Sequence, residues 1–352
     1  MKTNKENYKN ILPKIIFVVV LLLLVMTISV SLSDFNLLIK KISEIKIGYF
    51  LTALLISLIA LLLNAFSSQI VLRAINKEIS FKQGFLIQSI EPFFNGITPF
   101  SSGAQPFQLY YYHKNNVDGE QATSVLVVNF ILFQLVSVLL TTIGLIIFWD
   151  KISELALHLK IAILIGFSIN TTILVGLFLL AYVRGVYRLF EIIFSFFERF
   201  KFSQKLAAKL KSKTFNFVNN FQKGVKFLFT KKRVFILSST IKLLSLIFIY
   251  STTILLSKSL GFNFTLNENI YLIVVSLIAT TTMMFVPLPG ASGGTEYAFN
   301  FLLSNLIIGS HLITLLMLLW RMTTYYFGIL VGLIGYIFLK KEGNNNENRN
   351  IY

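Results

Sequence analysis

The sequence predicts an all-α polytopic membrane protein, and three observations support this prediction. Hydrophobic residues make up 55% of the 352 residues and charged residues only 13%, whereas about 25% of the residues of a soluble domain are charged. The apolar residues fall in runs of about 20, long enough for a helix to cross a hydrocarbon core of roughly 30 Å. Lys and Arg number 32 against 15 Asp and Glu, and such an excess marks the cytoplasmic loops of a membrane protein. We therefore expect about seven or eight transmembrane helices.

Seven apolar runs predict these helices. They cover residues 15–32, 47–72, 123–148, 161–183, 234–256, 271–285 and 312–339. The polar, basic residues 1–14 are placed in the cytoplasm by the positive-inside rule. The chain then divides into a first membrane half (15–183), a basic segment (184–233), a second membrane half (234–339) and a polar tail (340–352). Seven crossings would leave the C-terminus outside, yet Lys340 and Lys341 favour the cytoplasm, so we expect an eighth crossing.

Two further segments are apolar but contain residues that break helices. In residues 83–112 the breaks are Pro92, Gly96, Pro99, Gly103 and Pro106, and such backbone enters a membrane only when it is buried in protein or lines a wet cavity. The second broken segment is residues 286–309. Residues 99–104 and 289–294 share the pattern P-x-x-S-G-[AG], which indicates an internal repeat with the substrate near the breaks. A chance match of so short a pattern is the alternative, and whether each segment spans or re-enters is open.

Four ionisable residues lie in or beside the apolar segments. They are Glu91, Lys242, Glu296 and Arg321. Each costs about 2.5 to 3.5 kcal/mol to insert, so each is a candidate site residue. In a functional interpretation Arg321 and Lys242 receive a phosphate, while Glu91 and Glu296 neutralise a cationic headgroup or pair with the bases. In a structural interpretation Glu296 and Arg321 only pin two helices together, and Lys242 reaches the interface.

The shared pattern adds further candidates. The backbone N–H groups of Gly103, Gly290, Gly293 and Gly294 could approach a phosphate at the start of a helix, or these glycines could be packing and hinge positions. Ser102, Gln105 and Ser292 belong to the same two stretches and are candidate substrate-binding residues.

Several classes of chemistry find no support in the sequence. The absence of Cys excludes disulfides and thiolate metal sites, and His113, His158 and His311 are far apart in sequence. The sequence contains no phosphate-binding P-loop, no H-E-x-x-H motif and no G-x-S-x-G motif. We expect no catalytic residue, metal or cofactor, and no direct nucleic-acid partner.

The basic segment 184–233 carries an apolar stripe, which predicts an amphipathic helix along the inner leaflet. The stripe consists of Leu206, Leu210, Phe217, Phe221, Val225 and Leu228. The polar tail is low in complexity, and we expect it to be disordered.

Three blocks of sequence resemble one known family. Residues 98–131 (TPFSSGAQPFQLYYYHKNNVDGEQATSVLVVNFI), 286–303 (VPLPGASGGTEYAFNFLL) and 320–336 (WRMTTYYFGILVGLIGY) are similar to the signature regions of the lysylphosphatidylglycerol synthase transmembrane family. The resemblance covers residues 10–340. Its most specific elements are Pro289, Gly290, Gly293, Glu296, Arg321 and Tyr325. Pro99, Gly103 and Gln105 match the first block, although Gln105 stands where an acidic residue is common.

The resemblance implies a function in lipid chemistry. The membrane part of the multiple peptide resistance factor is implied to flip lysylphosphatidylglycerol outward, which blunts cationic antimicrobial peptides. In that protein a separate cytosolic domain makes the lipid, and with 13 residues after the last predicted span we expect no such domain here. We expect a flippase for lysylphosphatidylglycerol or a related aminoacyl or anionic phospholipid in a bacterial plasma membrane. The alternatives are a phosphatidylglycerol lysyltransferase component acting with a separate synthase subunit, and a scaffold without transport.

Overall fold

A computed structural model describes residues 41–75, 79–183, 191–192, 195, 204–284 and 286–349. The predicted N-terminal span 15–32 and the segment 1–14 lie outside these residues. Regular structure in the described part is helical throughout. Six of its helices are long and apolar enough to cross a membrane, and each coincides with a predicted span. They are α1 (Ile47–Ile75), α5 (Gly119–Ile147), α7 (Leu157–Tyr182), α9 (Lys232–Ser259), α10 (Leu266–Met283) and the stretch Ser310–Lys341.

The last of these stretches comprises α12 (Ser310–Arg321), a π-helical turn (Met322–Tyr326) and α13 (Phe327–Arg349). Shorter helices fill the space between the spans. They are α2 (Phe81–Ser89), α3 (Glu91–Gly96), α4 (Ala104–Lys114), α6 (Trp149–Ser153), α8 (Gln204–Thr230) and α11 (Gly294–Leu303).

The packing of α1 against α9 fixes the direction of the chain. Ser67 Oγ donates to Ser238 O at 2.8 Å, Ser245 Oγ donates to Ala60 O at 2.8 Å, and Lys46 N donates to Ser259 O at 2.9 Å. The two helices are therefore antiparallel. The end of α1 and the start of α9 lie on one face of the molecule, which we call the basic face. The start of α1 and the end of α9 lie on the opposite face.

The first broken segment enters from the basic face and returns to it. Ser80 caps α2 by accepting a hydrogen bond from Gln83 N at 3.2 Å. After α3 the chain turns at Pro99–Ser101, the first tip, and α4 runs back beside α2, where Gln108 Nε2 donates to Ile87 O at 3.2 Å. Residues 81–114 thus form a re-entrant hairpin, the first hairpin.

The second broken segment forms a re-entrant hairpin from the opposite face. A capping box between Thr265 and Glu268 starts α10, and the chain turns at Pro289–Ala291, the second tip. At the base of this second hairpin (residues 266–303), Tyr271 Oη donates to Leu302 O at 2.7 Å. The two tips pack against each other. Neither broken segment provides the eighth crossing that we expected, because each returns to the face from which it came.

The two tips have the same backbone conformation. The residue before each proline is extended, with Leu288 at φ −115° and ψ 149°, and the residue after it is left-handed: Phe100 at φ 57° and ψ 15°, Gly290 at φ 60° and ψ 20°. Ser102 Oγ donates to Pro99 O at 3.1 Å, as Ser292 Oγ does to Pro289 O at 2.8 Å. The shared sequence pattern is therefore a structural repeat. Each copy consists of a span, a hairpin and a span, and the second copy is inverted relative to the first.

Two expectations outside the repeat can be compared with the structure. The predicted amphipathic helix is present as α8, and its second part packs against α5: a Cβ on Gly224 would lie 3.2 Å from Ser124. Phe221, Val225 and Leu228 of the predicted stripe are buried there, whereas Leu210 and Phe217 are exposed; the side chain of Leu206 lies outside the described part. The polar tail is helical through Arg349 rather than disordered, since it continues α13.

Candidate functional site

Two adjoining cavities lie where the hairpin tips meet. The first, about 230 Å³, is lined by Arg321, and we call it the arginine cavity. The second, about 210 Å³, is lined by side-chain amides, and we call it the amide cavity. The cavities share four lining residues, which makes them neighbouring compartments of one site: Asn95, Ser101, Thr280 and Met284.

Arg321 is a buried cation at the end of α12. Its Nε donates to Glu296 Oε1 at 2.8 Å, and the two side chains are only 7% and 8% exposed. Its Nη2 donates to Gly290 O at 3.2 Å. Arg321 lines the arginine cavity whereas Glu296 does not. The predicted ion pair therefore exists, and of its two members only Arg321 lines this cavity.

The π-helical turn after Arg321 connects the two repeats. It places Tyr325 so that its Oη donates to Gly96 O at 2.8 Å, while its ring centroid lies 5.0 Å from the guanidinium carbon of Arg321. π-helical turns often mark functional positions in helices. Gly290 lies against this ring, because a Cβ there would be 2.2 Å from Tyr325 Cζ. The second tip, the π turn and the first hairpin thus form one wall.

A buried lysine and a carboxylate line the amide cavity. Lys242 of α9 is 2% exposed and donates through Nζ to Asn64 Oδ1. Asn64 Nδ2 in turn donates to Glu91 Oε2 at 3.2 Å. Lys242 therefore does not reach an interface, as the structural interpretation required. An amide bridges it to Glu91, and both charged groups face the cavity.

The structure divides the glycine candidates. Gly103 N donates to Thr98 Oγ1 at 2.9 Å and Gly293 N donates to Glu296 Oε2 at 2.7 Å. These N–H groups are engaged, so the predicted phosphate contact does not fit Gly103 or Gly293. Gly294 is a packing position, since its Cβ would lie 2.9 Å from Val286. Gly290 alone of the four lines a cavity.

The glutamine and serine candidates also differ in whether they line one of the two cavities. Gln105 lines the amide cavity. Ser102 and Ser292 hold the tips together through their bonds to Pro99 and Pro289, and neither lines a cavity. In the first tip Ser101, which we did not predict, takes the lining position.

Sequence reasoning missed the amides of the spanning helices. Asn64 lies in α1 and Asn129 in α5, where both side-chain polar atoms of Asn129 are buried without a hydrogen-bond partner in the described structure. Trp320 Nε1 is also buried without a hydrogen-bond partner in the described structure, and Trp320 lines the arginine cavity. A side-chain amide inside an apolar run was a signal in the sequence, but neutral residues attract less attention than charged ones.

These features define the class of protein: an α-helical, multi-pass membrane protein with an inverted repeat and a polar site between two re-entrant hairpins. The chain belongs to the family described as the lysylphosphatidylglycerol synthase TM region, whose model matches residues 11–332. Comparison with curated protein sequences gave no significant match.

Proposed function

We propose that this protein is a flippase, which moves phospholipid headgroups between the leaflets through the joined cavities while the acyl chains stay in the bilayer. One observation carries the proposal: hairpins from opposite faces meet around a polar site that contains a buried arginine. A polar headgroup pays a large desolvation penalty in hydrocarbon. Cavities lined by polar groups lower that penalty. Inverted repeats with broken helices and a central site recur in secondary transporters.

Arg321 supplies the contact for the phosphate. A guanidinium matches a phosphate through paired, charge-assisted hydrogen bonds, and Arg321, whose Nε is paired with Glu296, lines the cavity. The family's name supports lysylphosphatidylglycerol or a related aminoacyl or anionic phospholipid as substrate. By the positive-inside rule the basic face is cytoplasmic. Export of an aminoacylated lipid from a bacterial plasma membrane would contribute to resistance against cationic peptides.

A leaflet assay tests the proposal. Purified protein in liposomes would be supplied with fluorescent phosphatidylglycerol or lysylphosphatidylglycerol, and access of an external reductant to the fluorophore would be followed. We expect protein-dependent movement that Arg321→Ala abolishes and that Arg233→Ala, at an exposed arginine on the basic face, leaves intact. No movement of either lipid, with insertion confirmed, would contradict the proposal.

A further inference from the structure

A lysine and a carboxylate share the amide cavity and are linked through an amide. Lys242 Nζ donates to Asn64 Oδ1, and Asn64 Nδ2 donates to Glu91 Oε2 at 3.2 Å. Both charged residues line the cavity, but Lys242 is 2% exposed whereas Glu91 is only partly buried. The carboxylate is therefore the more accessible member of the pair, and the ammonium is the more deeply buried one.

One oxygen of this carboxylate remains available to a ligand. Glu91 Oε2 accepts from Asn64, whereas Glu91 Oε1 accepts no hydrogen bond from any residue that the structure describes. An ionised carboxylate can accept about four hydrogen bonds, so Glu91 keeps most of its capacity. The cavity beside it has a volume of about 210 Å³, which is room for water or for an ammonium group. Glu91 can thus receive a cation from the cavity.

The charge of Lys242 depends on Glu91. Among the described residues, Glu91 is the charged group that stabilises the Lys242 ammonium. The basic helix α8 joins α9 at Lys232, roughly 15 Å along the helix from Lys242. The other groups near this part of α9 are neutral or paired with each other: Asn64 of α1, Asn129 of α5, Thr280 of α10, Tyr250 of α9 itself, Tyr325 and Tyr326 of the π turn, and Arg321 of α12 with Glu296.

The binding of a second cation would disturb this balance. Glu91 and Lys242 together carry no net charge, and an ammonium group bound to Glu91 would leave Lys242 without a counter-charge in a buried position. An unpaired buried charge is unfavourable, and a buried ammonium that loses its counter-charge gives up its proton more readily. Loss of one proton from Lys242 would restore neutrality.

We infer that this site exchanges a proton for the ammonium group of the headgroup, which couples lipid movement to a proton gradient. The inference rests on the proposed function and adds its energy source. When the ammonium binds Glu91, an N–H bond of Lys242 breaks, the electron pair stays on Nζ, and the proton passes to cavity water as hydronium. When the lipid leaves on the other side, Lys242 takes a proton from the water there and its ammonium again donates to Asn64.

The exchange also balances charge across the membrane. Lysylphosphatidylglycerol has one phosphate and two ammonium groups, so it carries a net positive charge near neutral pH. Its movement in one direction against a proton in the other transfers no net charge. The lipid should therefore move toward the acidic side, whichever way the protein is inserted.

Proton release on binding tests the inference apart from transport. The purified full chain, in weakly buffered detergent near neutral pH with a pH-sensitive dye, would be mixed with lysylphosphatidylglycerol or phosphatidylglycerol. We expect about one proton per bound lysylphosphatidylglycerol and none with phosphatidylglycerol. Native mass spectrometry would measure the binding itself. Equal release by the two lipids would overturn the inference.

Matched variants assign the proton to its residue. Lys242→Gln keeps a donor for Asn64 but has no proton to release, so it should bind the lipid without the release. Lys242→Met is a second neutral variant with the same expected result. Lys232→Gln, at an exposed lysine at the start of the same helix, is the control and should release the proton as the unchanged protein does. Undiminished release by Lys242→Gln or Lys242→Met would overturn the inference.

A pH gradient across liposomes tests the coupling to movement. The membrane potential would be held at zero with potassium and valinomycin, and liposomes without protein would correct for titration of the lipid itself. Lysylphosphatidylglycerol should accumulate in the leaflet on the acidic side, by up to about tenfold per pH unit. With Lys242→Gln, the gradient should not change the distribution of the lipid.

The outcomes separate the inference from the proposed function. Lipid movement that does not respond to the gradient would overturn the inference and leave the flippase in place. Proton release on binding without lipid movement would contradict the flippase and support the exchange as a property of the binding site. Lysine amide, which is a soluble ammonium compound, should release no proton at the same concentration. Equal release would assign the exchange to a soluble cation and overturn the lipid part of the inference.

Discussion

At the scale of the residue, Arg321 combines a structural and a functional role. Its Nε and Nη2 hold Glu296 and the second tip, yet the guanidinium also lines a cavity. A buried ion pair contributes little net stability compared with well-packed neutral groups, but removing one partner leaves a buried charge and costs about 3 to 5 kcal/mol. Stability and transport should therefore respond differently to substitution of one partner and of both.

The first prediction uses this difference. Arg321→Met should lower the melting temperature strongly, because Glu296 would be left as an unpaired buried carboxylate. Arg321→Met combined with Glu296→Gln should recover most of that loss, while lipid movement should remain abolished. Thermal unfolding in detergent and the leaflet assay provide the two readouts. Transport by the double variant would mean that Arg321 and Glu296 have only a structural role.

The second prediction concerns the contact between the second tip and the π turn. Gly290→Ala should destabilise the protein, since the new Cβ would lie 2.2 Å from Tyr325 Cζ at a residue whose φ is +60°. Adding Tyr325→Ala should recover part of the melting temperature by removing the clash, leaving a left-handed penalty of about 1 to 2 kcal/mol. Gly176→Ala serves as control, because no atom lies within 4 Å of its Cβ position. No change from Gly290→Ala would show that the tip lies elsewhere.

At the scale of the element, hydropathy alone predicted the spans but not the hairpins. The 18 residues of α10 are long and apolar enough to cross, and only the return of α11 beside them shows that the chain turns back. Lys340 and Lys341 indicated that the simple count of spans was inconsistent, but charge gives no indication of which helix returns. The tips were predictable because Pro and Gly act locally. The amides of the cavity were not predictable, since packing between helices that are distant in sequence decides which amides line it.

A disulfide between α5 and α10 tests the position of the second hairpin. Thr141 Oγ1 and Thr281 Oγ1 are 3.3 Å apart, so the two side chains point at each other, as two cysteines must to form a disulfide. Thr141→Cys with Thr281→Cys should cross-link under mild oxidation, against a background free of natural cysteine. Gel mobility after cleavage at a site engineered into the basic segment would detect the link.

The neighbouring pair provides the control for this experiment. Thr142 follows Thr141 in α5 and points about 100° further round the helix, so Thr142→Cys with Thr281→Cys should not cross-link. Equal cross-linking of the two pairs would mean that α5 and α10 are not held in the described register.

At the scale of the whole molecule, the inverted repeat explains how one short sequence pattern serves both sides of a membrane. Each copy positions its tip with a span before the hairpin and a span after it, and inversion brings the tips to one place from opposite faces. Close packing joins the hairpin of each copy to the last span of the other copy. A Cβ on Gly335 would lie 2.3 Å from Ser89 Oγ, and one on Gly144 would lie 2.8 Å from Val274. The pattern therefore encodes a site between the copies rather than two separate sites.

The inversion makes a prediction about access from the two sides. Asn116 lies at the base of the first hairpin and Ile308, which is 96% exposed, at the base of the second. Asn116→Cys and Ile308→Cys should react with a membrane-impermeant maleimide from opposite sides of oriented vesicles. By the positive-inside rule Asn116→Cys should react from the cytoplasmic side. Gly261→Cys, in the loop between α9 and α10, should share the side of Ile308→Cys. Labelling of Asn116→Cys and Ile308→Cys from the same side would mean that both hairpins enter from one face. The fold would then no longer support a lipid route between the leaflets through the hairpin tips.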